Sequence, residues 1–207
     1  MKKTIVLALG LFAAISATAQ VNFGLKLGVN ANQLVPSNSS LKNDGFKYGF
    51  VGGAFLRFGI NGWYLQPEAV FAQKGANLQS SGTNVDAGDI ERNINSLDVP
   101  ILFGKAFGNR AKFRINAGPV IGFPLSAKQD GENRYKNALS GANVGYQAGI
   151  GLDVKKVTFD LRYEGGLSKV GNGSYTVGGQ TFNTDDRIST FQFTIGYKFI
   201  DSEDYDN

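Results

Sequence analysis

Between Val21 and Asn30 apolar residues occupy every second position. Val21, Phe23, Leu25, Leu27 and Val29 alternate with Asn22, Gly24, Lys26, Gly28 and Asn30. Successive residues of a β-strand point to opposite faces, so this period of two predicts a strand with one apolar face and one polar, small-residue face. The pattern returns along the chain: Lys47 to Phe58, from Trp63 to Phe71, Leu97 to Gly104, Lys112 to Phe123, Val144 to Asp153, Val157 to Glu164 and Phe191 to Phe199. This makes about eight strands, each near the roughly 9 to 11 residues that a tilted strand needs to cross a bilayer.

Short turns are expected at Gly59-Ile60-Asn61-Gly62, around Gly108-Asn109 and at Lys155-Lys156, where hairpin chemistry is present. Long polar connections fall at 31–46, 74–93, 124–143 and 168–187. In an up-and-down meander this puts every short turn at one end and every long loop at the other, as outer-membrane barrels do with periplasmic turns and extracellular loops. An even strand count lets the first and last strands pair and leaves no edge open to lipid. The expected fold is therefore all-β, an eight-stranded antiparallel up-and-down transmembrane β-barrel over residues 21–200.

Alternation alone does not say which row faces inward, because a secreted lipocalin-like barrel has the same period turned inside out. Glycine decides. Gly24, Gly28, Gly49, Gly53, Gly104, Gly118, Gly122, Gly145, Gly149, Gly151 and Gly196 all lie on the polar row. Glycine weakens a solvent-facing strand but makes room where backbones crowd, and an eight-stranded barrel has an interior only wide enough for side chains. The polar row is read as the lumen and the apolar row as a lipid belt. The lumen charges are then Lys26, Lys47, Arg57, Glu68, Asp98, Lys112, Arg114, Asp153, Asp160, Arg162, Glu164 and Lys198. Buried singly they would be very costly, so a paired network is expected, acting as a structural plug in preference to a proton or ion path.

Ahead of the strands, Lys2 and Lys3, the apolar run Ile5 to Ala14 and the small-residue site Ala17-Thr18-Ala19 form a cleavable export signal over residues 1–20. Excluding Lys2 and Lys3 leaves 19 basic against 17 acidic residues, a net charge of +2. With no continuous basic stripe and aromatics confined to the apolar rows, nucleic acid is not an expected partner. Residues 201–207 form a short acidic tail, with Asp201, Glu203, Asp204 and Asp206, read as disordered at the periplasmic mouth.

The chain has no cysteine and no histidine. That removes disulfides, thiolate chemistry, the usual base of serine hydrolysis and the commonest transition-metal ligand, so no cofactor, no metal and no enzymatic activity are expected. Asp86, Asp89 and Glu91 are close in sequence but lack the ligand spacing of a calcium loop. Gly149-Ile150-Gly151 lies inside a strand and lacks the third glycine and the helix of a dinucleotide site.

Pro67, Pro100 and Pro119 fall within predicted strands, where each lacks a ladder donor. They belong to an ordered series: Leu65-Gln66-Pro67-Glu68, Leu97-Asp98-Val99-Pro100, Ala117-Gly118-Pro119, Leu161-Arg162-Tyr163-Glu164-Gly165 and Gly196-Tyr197-Lys198-Phe199. The series resembles the PorT-like outer-membrane β-barrel family of Bacteroidota. The resemblance implies an eight-stranded barrel that tolerates these prolines at bulges or distortions, with Glu68, Asp98, Arg162 and Glu164 at motif positions in the lumen. It also implies a second functional reading, an accessory role in protein secretion. The first reading is an envelope-structural or surface-binding barrel acting through its long loops. A small-solute pore, a membrane hydrolase and a soluble binding barrel are weaker alternatives. The expected partners are outer-membrane lipid, the barrel-assembly machinery during biogenesis, and a surface or secretion-system protein that the sequence does not specify.

Overall fold

The structure, a computed structural model, describes residues 20–35, 42–43, 46–79, 90–129, 142–167, 174–177, 180–183 and 187–202. Residues 1–19 of the export signal, about half of the long connections and residues 203–207 lie outside them, as do Asp86 and Asp89. Of Glu91 only the backbone is described.

Eight strands form the wall: β1 (Gln20–Val35), β2 (Lys47–Ile60), β3 (Trp63–Gln79), β4 (Ile90–Phe107), β5 (Ala111–Gln129), β6 (Asn143–Val154), β7 (Val157–Gly166) and β8 (Arg187–Asp201). Each pairs antiparallel with its chain neighbours, and β1 pairs with β8 to close the barrel. Closure leaves no barrel strand with a free edge, the condition for placing a sheet in hydrocarbon. The two-residue strand Lys42–Asn43 extends the loop end against β3, and Ser174–Val177 pairs with Gln180–Asn183 in a separate hairpin.

The short connections are all at one end, where Gln20 and Asp201 also lie. Ile60 pairs with Trp63 around Asn61 and Gly62, at φ 53° and 81°. Both are left-handed, the backbone of the two-residue hairpin that Asn-Gly favours. At the β6–β7 turn Lys155 adopts φ 52° without asparagine's tolerance for it. Lys155→Asn is expected to stabilise the folded barrel, read as a higher urea midpoint of the vesicle-inserted protein.

The strands run from 10 to 19 residues, and all but β7 are longer than the lengths expected from a bilayer crossing. The excess is at the loop end. The β3–β4 ladder continues to Leu78 opposite Ile90, and the β4–β5 ladder to Arg92 opposite Gln129. These segments lose the apolar alternation, so sequence period alone ends the strand too early. Backbone pairing needs no apolar face once the ribbon has left the lipid. The last strand likewise runs to Asp201, which is buried and paired with Lys198 at 2.6 Å, and so is part of the wall and not of the acidic tail.

Pro67, Pro100 and Pro119 interrupt the ladders without shifting them. The β2–β3 pairing lapses between Phe55/Glu68 and Phe58/Leu65, beside Pro67, and resumes in the same register. The β3–β4 pairing lapses beside Pro100, and the β4–β5 pairing beside Pro119. Pro67 remains opposite Ile101, and Pro119 opposite Tyr146, on the strand's other side. Each missing donor thus opens one side of one strand. The described register shifts fall between Phe23 and Gly24 and between Asn95 and Ser96, the second beside Pro124, which lies opposite Ser96.

The two rows separate as the glycine argument requires. Leu27, Tyr48, Phe50, Phe103, Ile115, Leu161 and Phe193 project outward and are exposed, whereas the interior row is almost wholly buried. An apolar wall on every strand is the reverse of a lipocalin-like barrel, which keeps its apolar row inside.

Candidate functional site in the lumen

The lumen is lined by polar side chains from all eight strands, and many of them close on one another. Glu68 on β3 binds the Lys26 ammonium from β1, and its Oε2 accepts from Arg162 Nη1 on β7 at 2.9 Å. Arg162 Nη2 lies 3.3 Å from Asp160 Oδ1, which is 3.2 Å from Arg114 Nη2 on β5. Arg114 Nε is 2.9 Å from Asp153 Oδ1 on β6, and Asp153 Oδ2 pairs with Arg57 Nη1 from β2 at 2.5 Å. Arg57 Nε donates to Gln66 Oε1 at 2.6 Å, and Gln66 Nε2 returns a hydrogen bond to Glu68 Oε1 at 2.6 Å. The contacts form a closed ring through five strands, to which Lys26 attaches a sixth across the interior. None of the ring residues is more than 5% exposed.

A second cluster sits above it towards the loop end. Lys74 on β3 bridges Asp98 on β4, at 2.8 Å, and Glu164 on β7, whose other oxygen accepts from Gln147 Nε2 at 2.8 Å. Higher still, Thr190 Oγ1 donates to Asn32 Oδ1 and Asn32 Nδ2 to Asn30 Oδ1, each at 2.9 Å. Below the ring, Asn116 Nδ2 donates to the Tyr64 hydroxyl at 3.1 Å, and the Arg57 guanidinium lies over the Tyr64 ring at 5.1 Å.

Ten of the sequence-derived lumen charges enter these ion pairs. Lys47 and Lys112 are half-buried near opposite ends, where Lys47 offers its carbonyl to Asn32 and Lys112 lines the turn-end cavity. Sequence reasoning missed Lys74, Gln66 and Asp201. Lys74 keeps the even parity of Tyr64, Gln66 and Glu68, so carrying the strand three residues past Phe71 would have placed it inside. Gln66 was seen on the polar row but carries no charge. Counted over the described ion pairs, six basic side chains meet six acidic ones. The paired middle of the lumen is thus balanced in charge, with Lys47 and Lys112 towards its two ends.

Two cavities lie towards opposite ends of the lumen. A cavity of about 70 Å³ lies against Lys74, Asp98, Asn143 and Glu164. Another, of about 260 Å³, reaches from the turns to Arg57 and Asp153. Both are large enough and polar enough for water. Between them lie Lys26, Glu68, Asp160, Arg162 and Arg114, each at most 4% exposed.

The model of the outer membrane protein beta-barrel domain family matches residues 12–172, most of the chain. The chain belongs to that family. Its fold is also similar to the crystal structure of Neisserial surface protein A, with a TM-score of 0.51 and 13% sequence identity over 86% of this chain and 97% of that one. Ail, the attachment invasion locus protein of Yersinia pestis, crystallised with the heparin analogue sucrose octasulfate, is similar at a TM-score of 0.47 and 15% identity over 87% and 99% of the two chains. No curated protein sequence matches. Family and fold together make this an outer-membrane barrel with its apolar wall in lipid.

Proposed function

We propose that the protein is a non-enzymatic outer-membrane barrel that serves as a closed, rigid scaffold and acts at its long loops, in surface binding or in organising the envelope. The observation that carries this reading is the ion-pair ring, which occupies the middle of the lumen on buried side chains. A plugged barrel leaves its loops for recognition, and loops held by a rigid wall suit that task. The absence of histidine and cysteine from the sequence supports the non-enzymatic part. On this reading residues 1–20 are a cleaved export signal and the barrel-assembly machinery inserts the strands.

Planar-bilayer recording of the purified protein is expected to show no large, stable single-channel steps. Regular conductance of that kind would overturn the plug and favour a solute pore. Photocrosslinkers placed in the four long connections in native membranes are expected to capture a partner or envelope polymer at the cell surface.

The narrower PorT-like placement is supported by the ordered proline and charge motifs, and the lumen gives those motifs a physical purpose. Gln66 and Glu68 of the first motif close the ring against Arg162 of the fourth, while Asp98 and Glu164 share Lys74. Under that placement the crosslinked partner is a component of a secretion system, and loss of the barrel reduces export of secreted proteins.

A further inference from the structure

On the outer wall at the turn end, one cation stands in the lipid-facing row. Lys105 follows Ile101 and Phe103 on the outward parity of β4 and lies opposite Trp63 on β3. A charged residue on that face is costly at the bilayer midplane and nearly free at the interface, so its position marks the level of the headgroups. The ring contacts agree. Lys105 Nζ is 4.8 Å from the centroid of Trp63 and 5.4 Å from that of Phe107, both within cation–π range. Trp63 is itself stacked on Phe103, with centroids 5.2 Å apart and planes 15° from parallel. Trp63, Phe103 and Phe107 are each about half exposed, as residues of an aromatic belt are.

The rings hold the ammonium in place but accept none of its N–H bonds in the plane of the headgroups. No carboxylate is paired with it among the described residues. The neighbouring turns add two exposed cations, Arg110 and Lys155. We infer that Trp63, Lys105 and Phe107 form a seat for one anionic phospholipid of the periplasmic leaflet. The Lys105 ammonium takes the lipid phosphate, and the two rings pack on the glycerol and the upper acyl chain. The wall is continuous with the lipid belt on either side, so the occupant is a bilayer lipid and not a soluble ligand. This inference rests on the lipid-facing reading of the apolar row.

Trp63 is the only tryptophan in the chain, so its fluorescence reports this site alone. The folded protein is reconstituted into vesicles that contain either brominated phosphatidylcholine or brominated phosphatidylglycerol, both of which quench tryptophan on contact. Quenching by both is expected, with about a fivefold preference for phosphatidylglycerol, the equivalent of ~1 kcal/mol for one lysine at an anionic surface. The preference is expected to vanish in Lys105→Gln, to survive in Lys105→Arg, and to fall in the wild-type protein as salt rises. Heat-shifted gel mobility checks that each variant is folded. If Lys105→Gln does not fold, the comparison of Lys105→Arg with wild type and the salt series decide. Equal quenching by the two lipids, or a preference that persists in folded Lys105→Gln, would overturn the seat while leaving the barrel in its membrane. Absence of quenching by either lipid would overturn the lipid-facing reading itself.

Discussion

Glu68→Leu is expected to destabilise the barrel by about 3–5 kcal/mol, because it strips two buried cations of a partner at once. Glu68 receives the Lys26 ammonium and Arg162 Nη1 on one oxygen and Gln66 on the other. Removing it leaves Lys26 almost wholly buried beside a leucine, and the cost is mainly that uncompensated charge. The measurement is the urea midpoint of the vesicle-inserted protein, followed by heat-shifted mobility. The double variant Lys26→Met/Glu68→Leu tests the cause. It removes the stranded ammonium together with its partner and is expected to recover about 1–3 kcal/mol of the loss. Equal instability of the single and double variants would mean that Glu68 acts through packing. The wild-type ring need not be a net source of stability, since well-packed apolar replacements of a buried ionic group are often as stable. Its effect is to fix which strands face one another across the interior.

The second large effect separates two adjacent glycines. A Cβ on Gly53 would collide with the Ala69 carbonyl oxygen and lie 2.7 Å from Val70 Cα, both backbone atoms of β3 that no side-chain rotation can move aside. A Cβ on Gly52, on the opposite face, would meet nothing closer than the Lys26 carbonyl oxygen at 3.6 Å. Gly53→Ala is therefore expected to cost about 1–3 kcal/mol or to block folding, whereas Gly52→Ala is expected to be neutral or to stabilise by about 0.5–1 kcal/mol through the lost flexibility of glycine in a strand. Folding yield into lipid vesicles and the urea midpoint read both. If Gly53→Ala folds as well as Gly52→Ala, the inner wall is less crowded than its backbone distances require.

The contrast between Gly52 and Gly53 also shows how far a linear pattern reaches. Parity assigned Gly53 to the crowded row and left Gly52 out of it, because a strand has only two faces and the apolar neighbours Phe50, Ala54 and Leu56 name one of them. By the same rule most of the ion-pair residues were legible before any coordinate. Lys74 and Asp201 were not, since the pattern at each end of the wall decays once side chains leave the lipid or reach the mouth, while the backbone ladder continues.

By itself the sequence determined the strand period, the short turns at Asn61-Gly62 and Lys155-Lys156, the identity of the lipid-facing row and hence the closed eight-stranded wall. These are consequences of local geometry: two faces per strand, few residues that turn tightly, and no open edge allowed in hydrocarbon. The tertiary structure decided which charge meets which. Partners such as Arg57 and Asp153, or Lys74 and Glu164, stand on strands that share no ladder and meet only across the lumen. Their pairing depends on strand tilt, register and the closing of β1 on β8, quantities that no single strand encodes. The same holds for Lys105, whose sequence neighbours mark it as a cation in an apolar row, while only the β3–β4 register brings the Trp63 ring beneath it.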